Sequence, residues 1–302
     1  MLEIKDLKTN DEITWCPGCG DFGILNALKK SLVKLDRSLN EILLVSGIGQ
    51  AAKLPHYLNC NCFNGLHGRA LPVAFAAKAA NCKLTVIVTT GDGDCYGEGG
   101  NHFLHNLRRN IDITVVVHDN QIYGLTKGQA SPTTDLGVVT KVQTEGVISE
   151  AFRPLEVAIC MGIGFVARGF SADSEHLSWL ITEGVKHKGF SLIDVLQPCV
   201  TFNKQNTYEW YSKRVYKINE DPNYHPEDKD AAMKKAAEWG EKIPIGIIYR
   251  NEEKKSYEEK RGLLEKLALV EEDISQIDIK PILKDFISVS YTHLTLPTIL
   301  RV

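Results

Sequence analysis

Two runs of β-branched residues, each closing on a short oxygen-bearing turn, constrain this chain more than any other feature. In the first, Thr85, Val86, Ile87 and Val88 sit within a run over 82–90 that ends in Gly91-Asp92-Gly93. In the second, a run over 111–118 containing Val115, Val116 and Val117 ends in Asp119-Asn120. Apolar runs without alternation are the mark of parallel strands covered on both faces. Between them, 101–110 carries Phe103, Leu104 and Leu107 at helical spacing. A βαβ unit of this kind sets Asp92 and Asn120 at the carboxyl ends of adjacent strands, where open α/β sheets bind ligands.

That placement suits a magnesium diphosphate site. Mg²⁺ takes few ligands from protein and completes its octahedron with phosphate and water oxygens. The Asp92 carboxylate and the Asn120 amide oxygen fit that role, with the Ile122 carbonyl as a third. Gly91 and Gly93 let the backbone approach phosphate, and the amides opening the next helix face the anion. The plainer reading is a tight strand-to-helix turn with a solvated Asp and Asn; the flanking strands favour the ion site.

The remaining pattern is that of an α/β chain, a parallel sheet with helices on both faces. A helix is expected over 22–35, with Ile24, Leu25, Leu28, Leu32 and Leu35 on one face. A strand over 41–46 runs into the Gly47-Ile48-Gly49 turn, and an alanine-rich helix covers 70–80. Helices are expected over 156–161 and 176–188, and strands over 164–168 and 191–196. Beyond Thr207 the pattern changes to charged, aromatic-spotted helices with one late strand at 245–249. That part has too few apolar residues for its own core, so it should wrap the first domain or a partner. The expected division is a ligand-binding domain over 1–203 and a C-terminal helical extension over 204–288, with 289–302 set aside. The last stretch resembles the translation of a sequencing-library adapter.

A net charge of −3 argues against nucleic acid as a partner. No apolar run is long enough to span a bilayer, and the polar start is no secretory signal, which implies a cytoplasmic protein without membrane partners. Eight cysteines in that setting favour metal ligation or buried thiols over disulfides. Cys16 and Cys19, in a Cys-x-x-Cys loop, are spaced to reach one metal centre, although a redox pair and structural zinc use the same spacing. Cys82, Cys95 and Cys160 read as ordinary buried thiols.

Gly91-Asp92-Gly93 with Asp119-Asn120 resembles the thiamine-diphosphate motif. With Trp15-Cys16-Pro17-Gly18-Cys19-Gly20, Gly65-Leu66-His67-Gly68-Arg69, Asn120 through Gln129, and Pro198-Cys199-Val200-Thr201-Phe202-Asn203, the chain resembles the β subunit of 2-oxoacid:ferredoxin oxidoreductases over about residues 10 to 250. The resemblance implies the thiamine-diphosphate fold, with thiamine diphosphate held through Mg²⁺ at Asp92, Asn120 and Ile122. It implies cofactor contacts from Ile48, Gly49, Gln50, Ala51, His67, Gly91, Gly93, Asp94, Gly124 and Leu125. It also implies a [4Fe–4S] cluster on Cys16, Cys19 and Cys199. Many relatives carry cysteine directly after the Gly-Ile-Gly turn, where this chain has Gln50; Cys60 is favoured as the substitute, Cys62 remains open, and so does a cluster with three cysteines. His67, Lys53 and Lys127 are the candidate catalytic groups. By themselves the lysines read as surface residues and the histidine as a locally satisfied turn residue.

The implied activity is oxidative decarboxylation of a 2-oxo acid to acyl-CoA and CO₂, with electrons passing to ferredoxin. The carboxylate that activates the cofactor's aminopyrimidine would come from a separate α subunit, which bears the pyrimidine-binding domain. Two other readings stay open. A self-contained thiamine-diphosphate decarboxylase or synthase would need neither the cysteines nor a partner. A zinc-binding scaffold subunit would explain the cysteines but not Asp92 with Asn120.

Overall fold

The computed structural model describes residues 2–287, so the stretch set aside at 289–302 lies outside the described residues. The Cys16–Cys19 loop leads into α1 (Asp21–Leu35), which ends on Asp36 in the left-handed region (φ 47°). Next come β1 (Ile42–Ser46), a 3₁₀ segment (Ala51–Tyr57), the edge strand β2 (Asn61–Asn64) and α2 (Ala70–Ala80). The motif unit is β3 (Thr85–Gly91), a π-type turn (Gly93–Glu98), α3 (Gly100–Arg109) and β4 (Thr114–Asp119). A small hairpin, β5 (Ile122–Tyr123) and β6 (Gln129–Ala130), follows it. Then come α4 (Pro154–Cys160), β7 (Phe165–Phe170), α5 (Ser174–Lys186) and β8 (Ser191–Leu196). The C-terminal part holds α6 (Tyr208–Ser212), β9 (Val215–Lys217), α7 (Lys229–Ala237), β10 (Ile243–Arg250), α8 (Tyr257–Arg261) and α9 (Lys280–Ile287).

The eight-stranded sheet runs β2-β1-β3-β4-β8-β7-β10-β9. From β2 to β7 every pairing is parallel; β10 is antiparallel to β7, and β9 parallel to β10. Every residue of β4, β7 and β8 is buried, which explains why their sequences show no alternation. The period of two survives in which core each side chain joins. Val86, Val88, Val115 and Val117 pack on one face with Phe103 and Leu107 of α3. Ile87, Val116 and Ile193 pack on the other with Ile24 and Leu28 of α1 and Leu177 and Leu180 of α5.

The strand entering the motif starts later than its sequence suggests. Asn81 accepts Lys83 N at its side chain (3.1 Å) and Leu84 N at its carbonyl (3.2 Å), a local turn that holds off β3 until Thr85. The segment beyond Thr207 is more than a helical wrapping: β10, buried over seven of its eight residues, extends the main sheet, and β9 closes its edge. Among the described residues no helix is long and apolar enough to cross a membrane.

Candidate active site at the carboxyl rim

The parallel strands all end at one rim, and the loops leaving β1, β3 and β4 meet there. Their closeness depends on glycine. A Cβ at Gly47 would lie 2.1 Å from Asp94 Oδ2, and one at Gly93 would lie 2.2 Å from Tyr123 Cε1. Asp94 ties the loops together. Its buried carboxylate accepts from Gly68 N (2.7 Å), Thr90 Oγ1 (2.6 Å) and Ile48 N (3.2 Å), and lies 2.6 Å from His67 Nδ1. With so many donors converging, the carboxylate is the acceptor and Nδ1 carries the hydrogen, which leaves the lone pair on Nε2. The Asp94 carbonyl closes the π-type turn by accepting Gly99 N (2.9 Å).

Asp92, two residues earlier, has a different environment. It is 1% exposed and accepts from Ser131 Oγ and from Thr133 Oγ1 (2.7 Å). Burial pushes its carboxyl up to about 6, against the opposing hydroxyl and backbone hydrogen bonds. Among the described residues no ion pair involves Asp92. Thr133 Oγ1 also lies 2.7 Å from Asp119 Oδ1. Burial, then Asp194 and Asp92, raise Asp119 well above the carboxylate range. Asp194 receives the Tyr96 hydroxyl (2.7 Å) and is pushed up to about 6 by burial.

Asn120 forms an Asx turn, its Oδ1 accepting Ile122 N (3.0 Å), and Gln121 follows at φ 57°. The chain thereby folds back over the rim. A cleft opens here, lined by Asp92, Asn120 and Ile122 together with Gly91, Gly93 and Asp94. Its other walls come from Ile48, Gly49, Gln50 and Ala51 of the loop after β1, from His67, and from Gly124 and Leu125. The residues expected to hold a diphosphate and its cation thus converge on one cavity. A buried carboxylate without a cationic side chain, facing an amide oxygen, is a donor set suited to Mg²⁺.

Sequence reasoning missed several of these residues. Tyr123 and Thr126 also line the cleft, and Ser131 and Thr133 hold Asp92. The hydroxyl-rich Ser131-Pro132-Thr133-Thr134 run was the available signal. Lys53 and Lys127 do not line the cleft. Lys53 donates to Thr14 Oγ1 (3.1 Å), and Lys127 is exposed at φ 82° within the turn that joins β5 to β6.

Three cysteines come together beside this cleft. Gly20 N donates to Pro198 O (3.3 Å), stacking the Cys16–Cys19 loop on the segment that carries Cys199. Thr201 Oγ1 lies 3.1 Å from Cys16 Sγ, and Gln197 Nε2 lies 3.3 Å from Cys19 Sγ. Burial, then Asp21, raise the Cys19 thiol, with Cys199 a further contributor. Hydroxyl and amide donors aimed at sulfur are the kind of contact that supports a thiolate bound to metal. Among the described residues no group of three His, Cys, Asp or Glu is close enough to hold a single ion, and a cubane spreads its ligands more widely than one ion does.

Cys60 is not part of this group. β2 is parallel to β1 and pairs Asn61 with Leu43, so the chain must return to the amino edge before β2 begins. Cys60 sits at that edge, where its neighbour Asn59 donates to Leu7 O (3.1 Å). Burial, and then Cys62, push the Cys60 thiol up to about 12. The favoured fourth ligand is therefore corrected: Cys60 lies a strand length from the rim. Gln50 is at the rim. Its carbonyl accepts Trp15 Nε1 (2.9 Å), and its side-chain Oε1 is buried with no hydrogen-bond partner. Of the cysteines read as ordinary thiols, Cys95 is buried, Cys82 half-buried and Cys160 exposed.

Comparison with known proteins shows the family and the fold. Residues 46–195 match the family described as thiamine pyrophosphate enzyme, C-terminal TPP binding domain. Residues 199–266 match the family described as the C-terminal part of the pyruvate ferredoxin oxidoreductase beta subunit. The chain is 48% identical over 257 residues to the 2-oxoacid:ferredoxin oxidoreductase subunit beta of Saccharolobus solfataricus, covering 82% of this chain and 84% of that one. It is 46% identical over 266 residues to subunit beta of 2-oxoacid:ferredoxin oxidoreductase 1 from Aeropyrum pernix, covering 85% and 84%. Among solved structures it is similar to the 2-oxoglutarate:ferredoxin oxidoreductase from Magnetococcus marinus with 2-oxoglutarate, coenzyme A and succinyl-CoA bound. That likeness has a TM-score of 0.85 and 32% identity over 94% of this chain and 95% of the other.

Proposed function

The chain belongs to the β subunits of the 2-oxoacid:ferredoxin oxidoreductases, and from that premise we propose how its residues divide the work. Asp92, Asn120 and the Ile122 carbonyl hold Mg²⁺ on the diphosphate of thiamine diphosphate, and Cys16, Cys19 and Cys199 hold a [4Fe–4S] cluster. Thiamine diphosphate supplies the electron sink for decarboxylation, and the cluster carries electrons away singly. The net reaction is 2-oxo acid + CoA + two oxidised ferredoxins → acyl-CoA + CO₂ + H⁺ + two reduced ferredoxins.

Each residue's task follows from its surroundings. Ser131 and Thr133 fix the Asp92 carboxylate, so the cation meets a ligand already oriented. Asp94 orders the loops and orients the His67 ring at the cleft, with its Nε2 3.6 Å from Glu98 Oε2. Lys53 and Lys127, at the lip, attract the anionic substrate or coenzyme A before it enters. Gln50, whose Oε1 is buried with no hydrogen-bond partner, would be the candidate for the fourth position of a cluster held by three cysteines.

The single observation that carries this reading is the link between cleft and cysteines. Asn203, four residues past Cys199, donates its Nδ2 to the Asn120 carbonyl (3.1 Å), so both centres share one rim. Ile48, Leu66 and Leu125 are exposed around the cleft mouth, where the α subunit with its pyrimidine-binding carboxylate would close it. The protein is read as cytoplasmic, where the cysteines stay reduced.

The test is anaerobic purification of the complex with its α subunit. About four iron per β chain is expected, with CoA-dependent oxidation of a 2-oxo acid coupled to methyl viologen reduction. Cys199→Ser should lose most of the iron, whereas Cys60→Ser should keep it. Stoichiometric zinc without iron would replace this reading with that of a scaffold subunit. Iron loss in Cys60→Ser would return that residue to the cluster.

A further inference from the structure

Beside the cysteine loops, at the same rim, the C-terminal part of the chain forms a second concave surface. The end of α6, β9, the end of α7 and the start of β10 enclose a groove of about 870 Å³. Lys213, Arg214, Lys235 and Lys242 line it, against Glu238 and Glu241. Glu238 is already engaged by Lys235 Nζ (2.6 Å) and by the Tyr216 hydroxyl. Lys213 Nζ is likewise engaged by Glu209 (2.5 Å), which leaves Arg214 and Lys242 as the groove's cations with no carboxylate ion pair among the described residues, on a chain that carries −3 as a whole.

Tyr216 and Trp239 are the rings that line its floor, and Trp210 stands next to Trp239. The Arg214 guanidinium stacks over Trp210 at 4.4 Å, Lys235 lies over Tyr216 at 5.4 Å, and Trp210 and Trp239 are 6.2 Å apart. Trp, Tyr and Arg together are what protein interfaces concentrate at their centres.

The floor leads back to the cysteines. A Cβ at Gly20, next to Cys19, would lie 2.9 Å from Ser171 Oγ, so the loop packs on the residue after Phe170, against which Tyr208 stands. From Tyr208 the rings continue to Phe170 (6.3 Å), Tyr211 (5.7 Å) and Trp210 (5.1 Å). No centroid-to-centroid step from Tyr208 to the groove exceeds 6.3 Å.

We propose that this groove is the docking surface for an acidic electron-carrier protein that draws electrons from the Cys16, Cys19 and Cys199 centre. The proposal rests on the reading that those cysteines hold the iron–sulfur cluster. Each docking event moves one electron: the cluster is oxidised by one and the carrier reduced by one, with two events per 2-oxo acid. Cationic walls steer an acidic partner and fix its register, and the aromatic floor supplies the contact area. The exposed Lys213 and Lys242 set the approach, while Tyr216 and Trp239 seat the carrier.

The test uses the holo complex with its α subunit, an acidic ferredoxin and methyl viologen as a small acceptor that needs no docking. Lys213→Glu/Lys242→Glu changes two exposed side chains, and Lys242→Glu alone serves as the milder variant. The double variant should raise both the ferredoxin KM and the directly measured Kd for oxidised ferredoxin about tenfold at low salt, a gap that narrows as salt rises. Methyl viologen reduction, iron content and the KM for coenzyme A should stay at wild-type values. Unchanged ferredoxin binding would overturn the proposal. A raised KM for coenzyme A with unchanged ferredoxin binding would overturn it too, and would assign the groove to the nucleotide. Failure of the underlying reading would look different: the wild-type complex would lack iron or would not reduce methyl viologen at all.

Discussion

Asp112 and Asp92 stand at opposite ends of neighbouring strands, and their surroundings differ in kind. Asp112, at the amino edge just before β4, pairs with Lys78 Nζ at 3.2 Å, and Lys78 in turn donates to Leu84 O (2.7 Å). Glu258 accepts Asp112 N at that edge, and Asn110 caps α3 in the left-handed region (φ 58°). Charge there is balanced by the chain itself. At the carboxyl rim Asp92 has only hydroxyl and backbone donors and is pushed up to about 6 by burial. One end of the sheet is electrostatically finished, and the other keeps a buried carboxylate with no ion pair among the described residues.

The sharpest way to break this comparison is to remove the rim acid. Asp92→Ala should weaken Mg²⁺-dependent thiamine-diphosphate binding by at least about 100-fold, the scale of losing an ion ligand, while thermal stability without cofactor holds or rises. Titration calorimetry reads the first and a melting curve the second. Cofactor affinity within threefold of wild type would show that Asp92 is not the ligand.

The matching change at the other end should do the reverse. Lys78→Met leaves Asp112 only the longer contact to Lys188 Nζ (3.8 Å), and the cost is about 2 kcal/mol of stability by chemical denaturation. Cofactor affinity should remain within twofold. A large loss of affinity would mean that the two ends are not independent.

A smaller effect comes from pH. Asp92 and Asp194, both near 6 in the fold, return on unfolding to about the ordinary value of 3.8. Between those values the native chain holds more protons than the unfolded one, so stability of the cofactor-free protein falls as pH rises from about 4 to 6. The loss contributed by Asp92 is on the order of 1 kcal/mol, read as the difference between wild type and Asp92→Asn at pH 5 and pH 7. Mg²⁺ affinity should rise over the same window, because the ion competes with the proton. An identical pH dependence in both proteins would remove Asp92 from this account.

Much of the architecture was legible because it is local. The runs that became β8 and α2 match their expected spans to the residue, since apolar identity and helical spacing decide them. The rim residues were legible for a related reason: a glycine turn at a strand's end has few places to go. What was hidden depends on distance along the chain. Ser131 reaches Asp92 across 39 residues, and nothing in either neighbourhood announces the contact. Cys60 misled because it follows Gln50 closely in sequence. The parallel pairing of β2 with β1 sends the chain down the sheet between them. A late strand was legible at 245–249, but its place in the main sheet depends on antiparallel pairing with β7, far back in the chain, which no local pattern announces.

The π-type turn of Gly93–Glu98 carries one further consequence, for how this protein can change over generations. A turn closed from Asp94 O to Gly99 N holds one more residue than an α-helical turn. Deleting any residue in it would let the segment relax into ordinary helix and swing everything downstream by about 100°. Phe103 and Leu107 would leave the core together, and Asp94 would lose its hold on the loops. Substitution within this stretch can be tolerated wherever the glycine contacts allow it, but its length is fixed. Natural variants of this protein should therefore differ in letters here and never in count.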